Sequence, residues 1–125
     1  MKKIAIVEDN PDNRLLLRAI LEEFYDLTVY DTGMTALEGV KREKPDLLLL
    51  DISLPGMDGT EVLRQLRADT ALRGLRIIAL TAHAMAGDRE RYLSAGFNNY
   101  ITKPIVDETI LLDAIEQELN PRKVF

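Results

Sequence analysis

A chain of 125 residues without cysteine, carrying 16 basic and 21 acidic side chains, is long enough to bury one self-sufficient core, and it has no disulfide or thiolate metal site to lean on. The net charge of −5 is spread along the chain rather than gathered into a basic face, which argues against direct nucleic-acid binding. No run of about 18 apolar residues is present, and MKKIAIV meets charge too soon for a signal peptide, so a soluble, cytoplasmic protein without a membrane partner is expected.

The first predicted strand, Lys3 to Val7 (KIAIV), is rich in β-branched residues and ends on Glu8 and Asp9. Asn10 followed by Pro11 is a helix cap with proline at the first helical position. Leu16, Leu17, Ile20, Leu21 and Phe24 then recur at helical spacing. Leu27 to Tyr30 is a second strand, Asp31 to Gly33 a turn, and Ala36, Leu37 and Val40 mark a short second helix that Pro45 stops. Leu47 to Leu50 has no polar alternation and is too short for an ordinary helix, so it reads as a strand buried on both faces, and it delivers Asp51 at its end. A loop through Leu54, Pro55, Gly56 and Met57 follows. Asp58 then caps a third helix carrying Val62, Leu63 and Leu66. Arg76 to Leu80 is a fourth strand ending on Thr81. Ala82 to Gly87 connects it to a fourth helix through Tyr92 and Leu93, with Gly96 as its stop. Asn98 to Thr102 is a weak fifth strand that places Lys103 and Pro104 at its end, and Asp107 to Leu119 closes the chain with a helix whose stripe is Ile110, Leu111, Ala114, Ile115 and Leu119. Five alternations of strand and helix, without linker or repeat, predict a doubly wound α/β domain with a parallel sheet and helices on both faces.

In such a sheet ligands bind outside the carboxyl ends of the strands, and there the sequence delivers Glu8, Asp9, Asp51, Thr81 and Lys103. Taken singly, each has an ordinary structural reading, as a helix cap or a solvated turn residue. Taken together they are three carboxylates that repel one another unless a cation sits among them. Oxygen ligands without His or Cys suit a hard ion such as Mg²⁺, which keeps waters and phosphate oxygens in its shell. A carboxylate, a hydroxyl and an ammonium beside such a metal are equipment for phosphoryl transfer, with Asp51 as the in-line nucleophile.

The motifs EDN (Glu8 to Asn10), LLLLDISLPGMDG (around Asp51), ALTAHA (around Thr81) and YITKP (Tyr100 to Pro104) resemble, in order and approximate spacing, the receiver domain of two-component response regulators. The resemblance covers essentially the whole chain. It implies the flavodoxin-like strand order 2-1-3-4-5 in a five-stranded parallel sheet, and a cis peptide between Lys103 and Pro104. It makes Asp51 the phosphoacceptor and Glu8 and Asp9 an acidic pair holding Mg²⁺, helped by Asp51 and the main-chain carbonyl of Ser53. Thr81 would hydrogen-bond one phosphoryl oxygen and Lys103 would pair with another. Thr81 and Tyr100 would form a switch that remodels the face of helix four, strand five and helix five toward a protein target; the bland alternative for Tyr100 is an aromatic on a half-exposed strand. Ser53 and His83 would flank the entry to the acyl phosphate and tune its hydrolysis, His83 having the alternative of an ordinary exposed turn residue. The donor implied is a histidine kinase or a histidine phosphotransfer protein, and the motifs around ALTAHAMAGDRER are similar to receivers fused behind sensor kinases.

Residues 1–120 are expected to form the receiver, with 121–125 a short tail and no output domain, so that the protein would be a phosphoacceptor rather than a turnover enzyme. Three other readings use parts of the same pattern. A Mg²⁺-dependent phosphohydrolase with an aspartyl-phosphate intermediate would want an acid two residues after the nucleophile, where Ser53 stands. A flavin-type carrier would want a Ser/Thr/Gly-rich phosphate loop where EDNPDNR stands. A phosphorylation-independent binding module would not need the complete site.

Overall fold

A computed structural model of the chain describes residues 1–82 and 87–121. The strands are β1 (Lys3–Val7), β2 (Asp26–Tyr30), β3 (Leu47–Asp51), β4 (Arg76–Thr81) and β5 (Asn99–Thr102). The helices are α1 (Pro11–Leu21), α2 (Gly33–Glu43), α3 (Gly59–Ala68), α4 (Asp88–Ala95) and α5 (Glu108–Leu119), with a 3₁₀ turn at Thr70–Leu72. The strands form one sheet in the order β2-β1-β3-β4-β5, and every pair is parallel. Both the fold class and the strand order expected from the sequence hold.

The apolar run Leu47 to Leu50 is fully buried because the sheet is covered on both sides. Its even and odd residues feed different cores. Leu48 and Leu50, with Ala5, Val7, Ile77 and Ala79, pack against α2, α3 and α4 through Leu37, Val40, Val62, Leu66 and Tyr92. Leu47 and Leu49, with Ile4, Ile6, Ile78 and Leu80, pack against α1 and α5 through Leu17, Leu21, Leu111 and Ile115. Each such leucine contributes about 2 kcal/mol by leaving water, so β3 is the thermodynamic as well as the geometric centre.

The ends of the elements follow the local chemistry. The Asn10 side chain accepts from the Asp12 and Asn13 amides, Asp58 from the Glu61 amide and Asp107 from the Thr109 amide, each capping the helix that follows. Lys44 takes the left-handed conformation at φ 49° and ends α2 one residue before Pro45. Gly96, at φ 121°, ends α4. Three apolar assignments do not hold, and the first is Leu16, 41% exposed because Leu17, Ile20 and Leu21 set the buried line of α1. Phe24 lies past the end of α1 and is 51% exposed, because the chain turns toward β2 after Leu21, and Ile110 is 58% exposed because Leu111 and Ile115 set the buried line of α5. No helix among the described residues is long and apolar enough to cross a membrane.

The turn after α3, which no periodicity announces, is tied down by Arg67. Its guanidinium donates to the Gly96 carbonyl (3.1 and 2.8 Å), Asn98 Oδ1 (2.9 Å), the Leu75 carbonyl (2.7 Å) and the Arg73 carbonyl (3.2 Å). Asn98 Oδ1 also accepts from the Ile77 amide at 2.8 Å, so one planar cation joins α3, the start of β4 and the approach to β5. Arg67→Lys is expected to cost about 2 kcal/mol in a urea titration, since an ammonium cannot serve acceptors on all these sides; a loss under about 0.5 kcal/mol would deny Arg67 this role.

Candidate functional site

The strand register brings the chemistry-bearing residues to one edge. Val7 lies opposite Leu50, Asp51 opposite Leu80, and Thr81 opposite Thr102, so Glu8, Asp51, Thr81 and Lys103 leave four adjacent strands side by side. Main-chain bonds carry the ladder past the strand ends, from the Ile52 amide to the Leu80 carbonyl (3.0 Å) and from the Lys103 amide to the Thr81 carbonyl (2.7 Å). The peptide between Lys103 and Pro104 is cis, as the resemblance implies.

Glu8, Asp51 and Thr81 are buried, with exposures of 0%, 1% and 0%, while Asp9 and Ser53 are exposed. Lys103 reaches back over the edge, its Nζ 3.0 Å from Glu8 Oε1 and 3.1 Å from Asp51 Oδ2. Asp51 Oδ1 accepts from the Ser53 amide at 3.0 Å and Glu8 Oε2 from the Asn10 amide at 3.2 Å. Burial is the chief reason that the Glu8 carboxyl is held above its ordinary range; the Asp51 carboxylate pushes the same way, against the Asn10 amide and Lys103. Burial works against the Lys103 ammonium, but its bonds to Glu8 and Asp51 together outweigh that and raise its pKa.

Among the described residues Glu8, Asp9 and Asp51 each offer a carboxylate oxygen, all within 4.8 Å of one another. That spacing and an all-oxygen donor set fit one hard divalent cation with room left for water and phosphate oxygens. One ammonium against three acids leaves the cluster short of positive charge, which a divalent ion supplies. A buried carboxylate flanked by an ammonium and a hydroxyl, beside such an acid cluster, can accept and hold a phosphoryl group.

Tyr100 is half-buried on β5, its ring centroid 6.0 Å from that of Tyr92. His83 lies outside the described residues. Two contributors escape sequence reasoning. Arg14 donates to the Glu8 and Asp9 carbonyls at 2.9 and 2.8 Å and so fixes the loop that aims the acidic pair; its place in the first turn of α1, after the Asn10 cap, is the available signal, a weak one. Gly59 brings α3 against the end of β3, its amide donating to the Ile52 carbonyl at 2.9 Å. A Cβ there would strike the Asp51 carbonyl oxygen, and the glycine in PGMDG is the signal for this close approach.

A parallel α/β sheet with a buried acid, a lysine and a metal-fitting acid cluster at its carboxyl edge is an arrangement suited to phosphoryl transfer. Residues 4–116 match the response regulator receiver domain, and the chain belongs to that family, a component of two-component signalling. It is similar to the polar-differentiation response regulator DivK of Brucella anthropi, 43% identical over 105 residues, which cover 83% of this chain and 85% of that protein. It is also similar to the sensor protein GacS of Pseudomonas syringae, 38% identical over 112 residues, but these are 86% of this chain and only 12% of that much longer protein. Among solved structures, the receiver domain of the sensor histidine kinase PA1611 from Pseudomonas aeruginosa is 37% identical, with a TM-score of 0.85 over 94% of this chain and 97% of that one. That structure has a magnesium ion coordinated in its active-site cleft.

Proposed function

We propose that this receiver works as a single-domain response regulator, residues 1–120, that takes a phosphoryl group onto Asp51 from the phosphohistidine of a histidine kinase or phosphotransfer protein. The observation that carries this reading is the Lys103 ammonium bridging two buried carboxylates, Glu8 and Asp51, at 3.0 and 3.1 Å beside an acid cluster fit for a divalent cation. The DivK relatives, of which the chain covers 85%, support the single-domain reading, and the magnesium in the PA1611 receiver supports Mg²⁺ as the ion.

Glu8, Asp9, Asp51 and the Ser53 carbonyl would hold Mg²⁺. Bound there, the ion supplies charge neutralisation for the phosphoryl oxygens and the acids. An Asp51 carboxylate oxygen attacks phosphorus opposite the leaving imidazole nitrogen; the P–N bond breaks as the P–O bond forms, giving an acyl phosphate. Lys103 transfers its ion pair from the Asp51 carboxylate to a phosphoryl oxygen, and the Thr81 hydroxyl donates to another. Slow attack of water on the acyl phosphate resets the domain, and the Ser53 and His83 side chains would tune its rate. The Thr81 and Tyr100 side chains carry the change to the surface of α4, β5 and α5, where a protein target reads it in the cytoplasm.

The test is intact mass after incubation with Mg²⁺ and acetyl phosphate. The wild type is expected to gain one phosphoryl group of about 80 Da, only with Mg²⁺, and Asp51→Asn to gain none, since its amide is no nucleophile toward phosphorus. A folded, Mg²⁺-binding wild type that forms no adduct would defeat the proposal; many turnovers of phosphate release would instead indicate a hydrolase.

A further inference from the structure

Tyr92 is only 4% exposed on α4, and its hydroxyl lies 3.3 Å from Thr81 Oγ1. The same phenol oxygen accepts from Arg91 Nη2 at 3.2 Å, and that nitrogen is paired with Asp88 Oδ1 at 3.1 Å. A guanidinium only donates, so it engages one lone pair of the phenol oxygen and leaves the phenol proton and the second lone pair for other partners. Arg91 therefore donates to Tyr92, and the hydrogen bond between Tyr92 and Thr81 Oγ1 can run in either direction. The ring is held by Phe97, edge-on with centroids 6.0 Å apart, and by Tyr100, also at 6.0 Å, while the Arg91 guanidinium sits 5.0 Å from its centroid.

We infer that Tyr92 is a positioning residue: its hydroxyl, hydrogen-bonded to that of Thr81, orients the Thr81 side chain in the unphosphorylated domain, and a phosphoryl group on Asp51 must draw Thr81 away from it. The inference rests on the proposed role of Thr81 toward that group. Because Arg91 and Asp88 stand on the same helix as Tyr92, a partner that engages the Arg91 guanidinium changes how readily Thr81 is released. The chain thereby gains a control point on α4 that is separate from Tyr100.

Tyr92→Phe keeps the ring and removes only the hydroxyl. With Mg²⁺ present, its affinity for beryllium fluoride, a phosphoryl mimic, is expected to rise about 2- to 10-fold, the worth of one hydrogen bond. In a Thr81→Ala background the same change is expected to have less than a twofold effect, because the group it acts through is gone. A purely structural tyrosine would act equally in both backgrounds; that result, unchanged affinity or weaker binding would each overturn the inference. A second measurement needs no phosphoryl chemistry: the Thr81 methyl resonance of the resting protein is expected to move in Tyr92→Phe. If the wild type binds no beryllium fluoride, the proposed function fails, and the resonance alone decides for Tyr92, movement supporting the contact and an unmoved signal refuting it.

Discussion

Replacing Lys103 with methionine is expected to lower the unfolding free energy of the metal-free protein by about 3 kcal/mol near neutral pH, the cost of leaving buried charge without its partner. The Lys103 ammonium is the ion-pair partner of both Glu8 and Asp51, whose side chains are 0% and 2% exposed. Without it the two carboxylates face each other in a water-poor site, and the cheapest relief is a proton on Glu8, whose carboxyl is already held above the ordinary value of 4.5.

The sign of the pH dependence follows. For Glu8 the folded state binds its proton more tightly than the unfolded chain, so the associated stability is fully present below 4.5 and is lost as pH rises through the raised folded value. Lys103 follows the same sign in the wild type but at far higher pH: its stabilisation is present below 10.5 and is lost only as pH climbs through its own raised value, so it covers the neutral range. The Lys103→Met deficit is therefore expected to be small near about pH 5 and to grow toward about pH 7.5, with millimolar Mg²⁺ recovering part of it by binding the folded acids. Urea titrations at both pH values, with and without Mg²⁺, check this; a deficit under about 1 kcal/mol, or one independent of pH, would mean that the pair carries little. Phosphorylation of the variant is expected to be severely slowed even where folding is restored.

Gly59→Ala is expected to destabilise by about 2–3 kcal/mol, at the high end of overpacking. The added Cβ would strike the Asp51 carbonyl oxygen and stand 2.8 Å from Ile52 Cα. Both are main-chain atoms at the end of the central strand, so neither yields by a rotamer change. Relief comes from moving α3 or the end of β3, and the second displaces Asp51 itself, so acetyl phosphate labelling is expected to slow as well. Gly74→Ala is the control: its Cβ would meet no atom within 4 Å, and it is expected to be neutral or slightly stabilising. Equal urea midpoints for the two variants would show that α3 does not press on the end of β3.

Much of the molecule was legible in the sequence because its signals are local. A run such as Leu47 to Leu50 declares a strand buried on both faces by its lack of alternation, and caps such as Asn10 and Asp58 declare where helices start. The site residues could be gathered in advance because a parallel sheet delivers every strand end to one edge, so Glu8, Asp51, Thr81 and Lys103 needed only their places at strand ends. Strand order and the cis peptide did not follow from periodicity and came through resemblance to a family.

What tertiary structure alone decided concerns contacts between residues far apart or on facing elements. Helical spacing put Leu16 and Ile110 on buried stripes, but the rotation of a helix against its sheet is set by total packing, and both ended in solvent. The Arg67 ties to Gly96 and Asn98 span 29 and 31 residues, and the bond between Tyr92 and Thr81 depends on how α4 settles on β4; neither has a pattern in the chain. Residue types and their periodicity determined which groups arrive at the functional edge, because those depend on local energetics. Which of them touch, and hence how charge is balanced around Asp51, depended on the shared packing of the whole sheet.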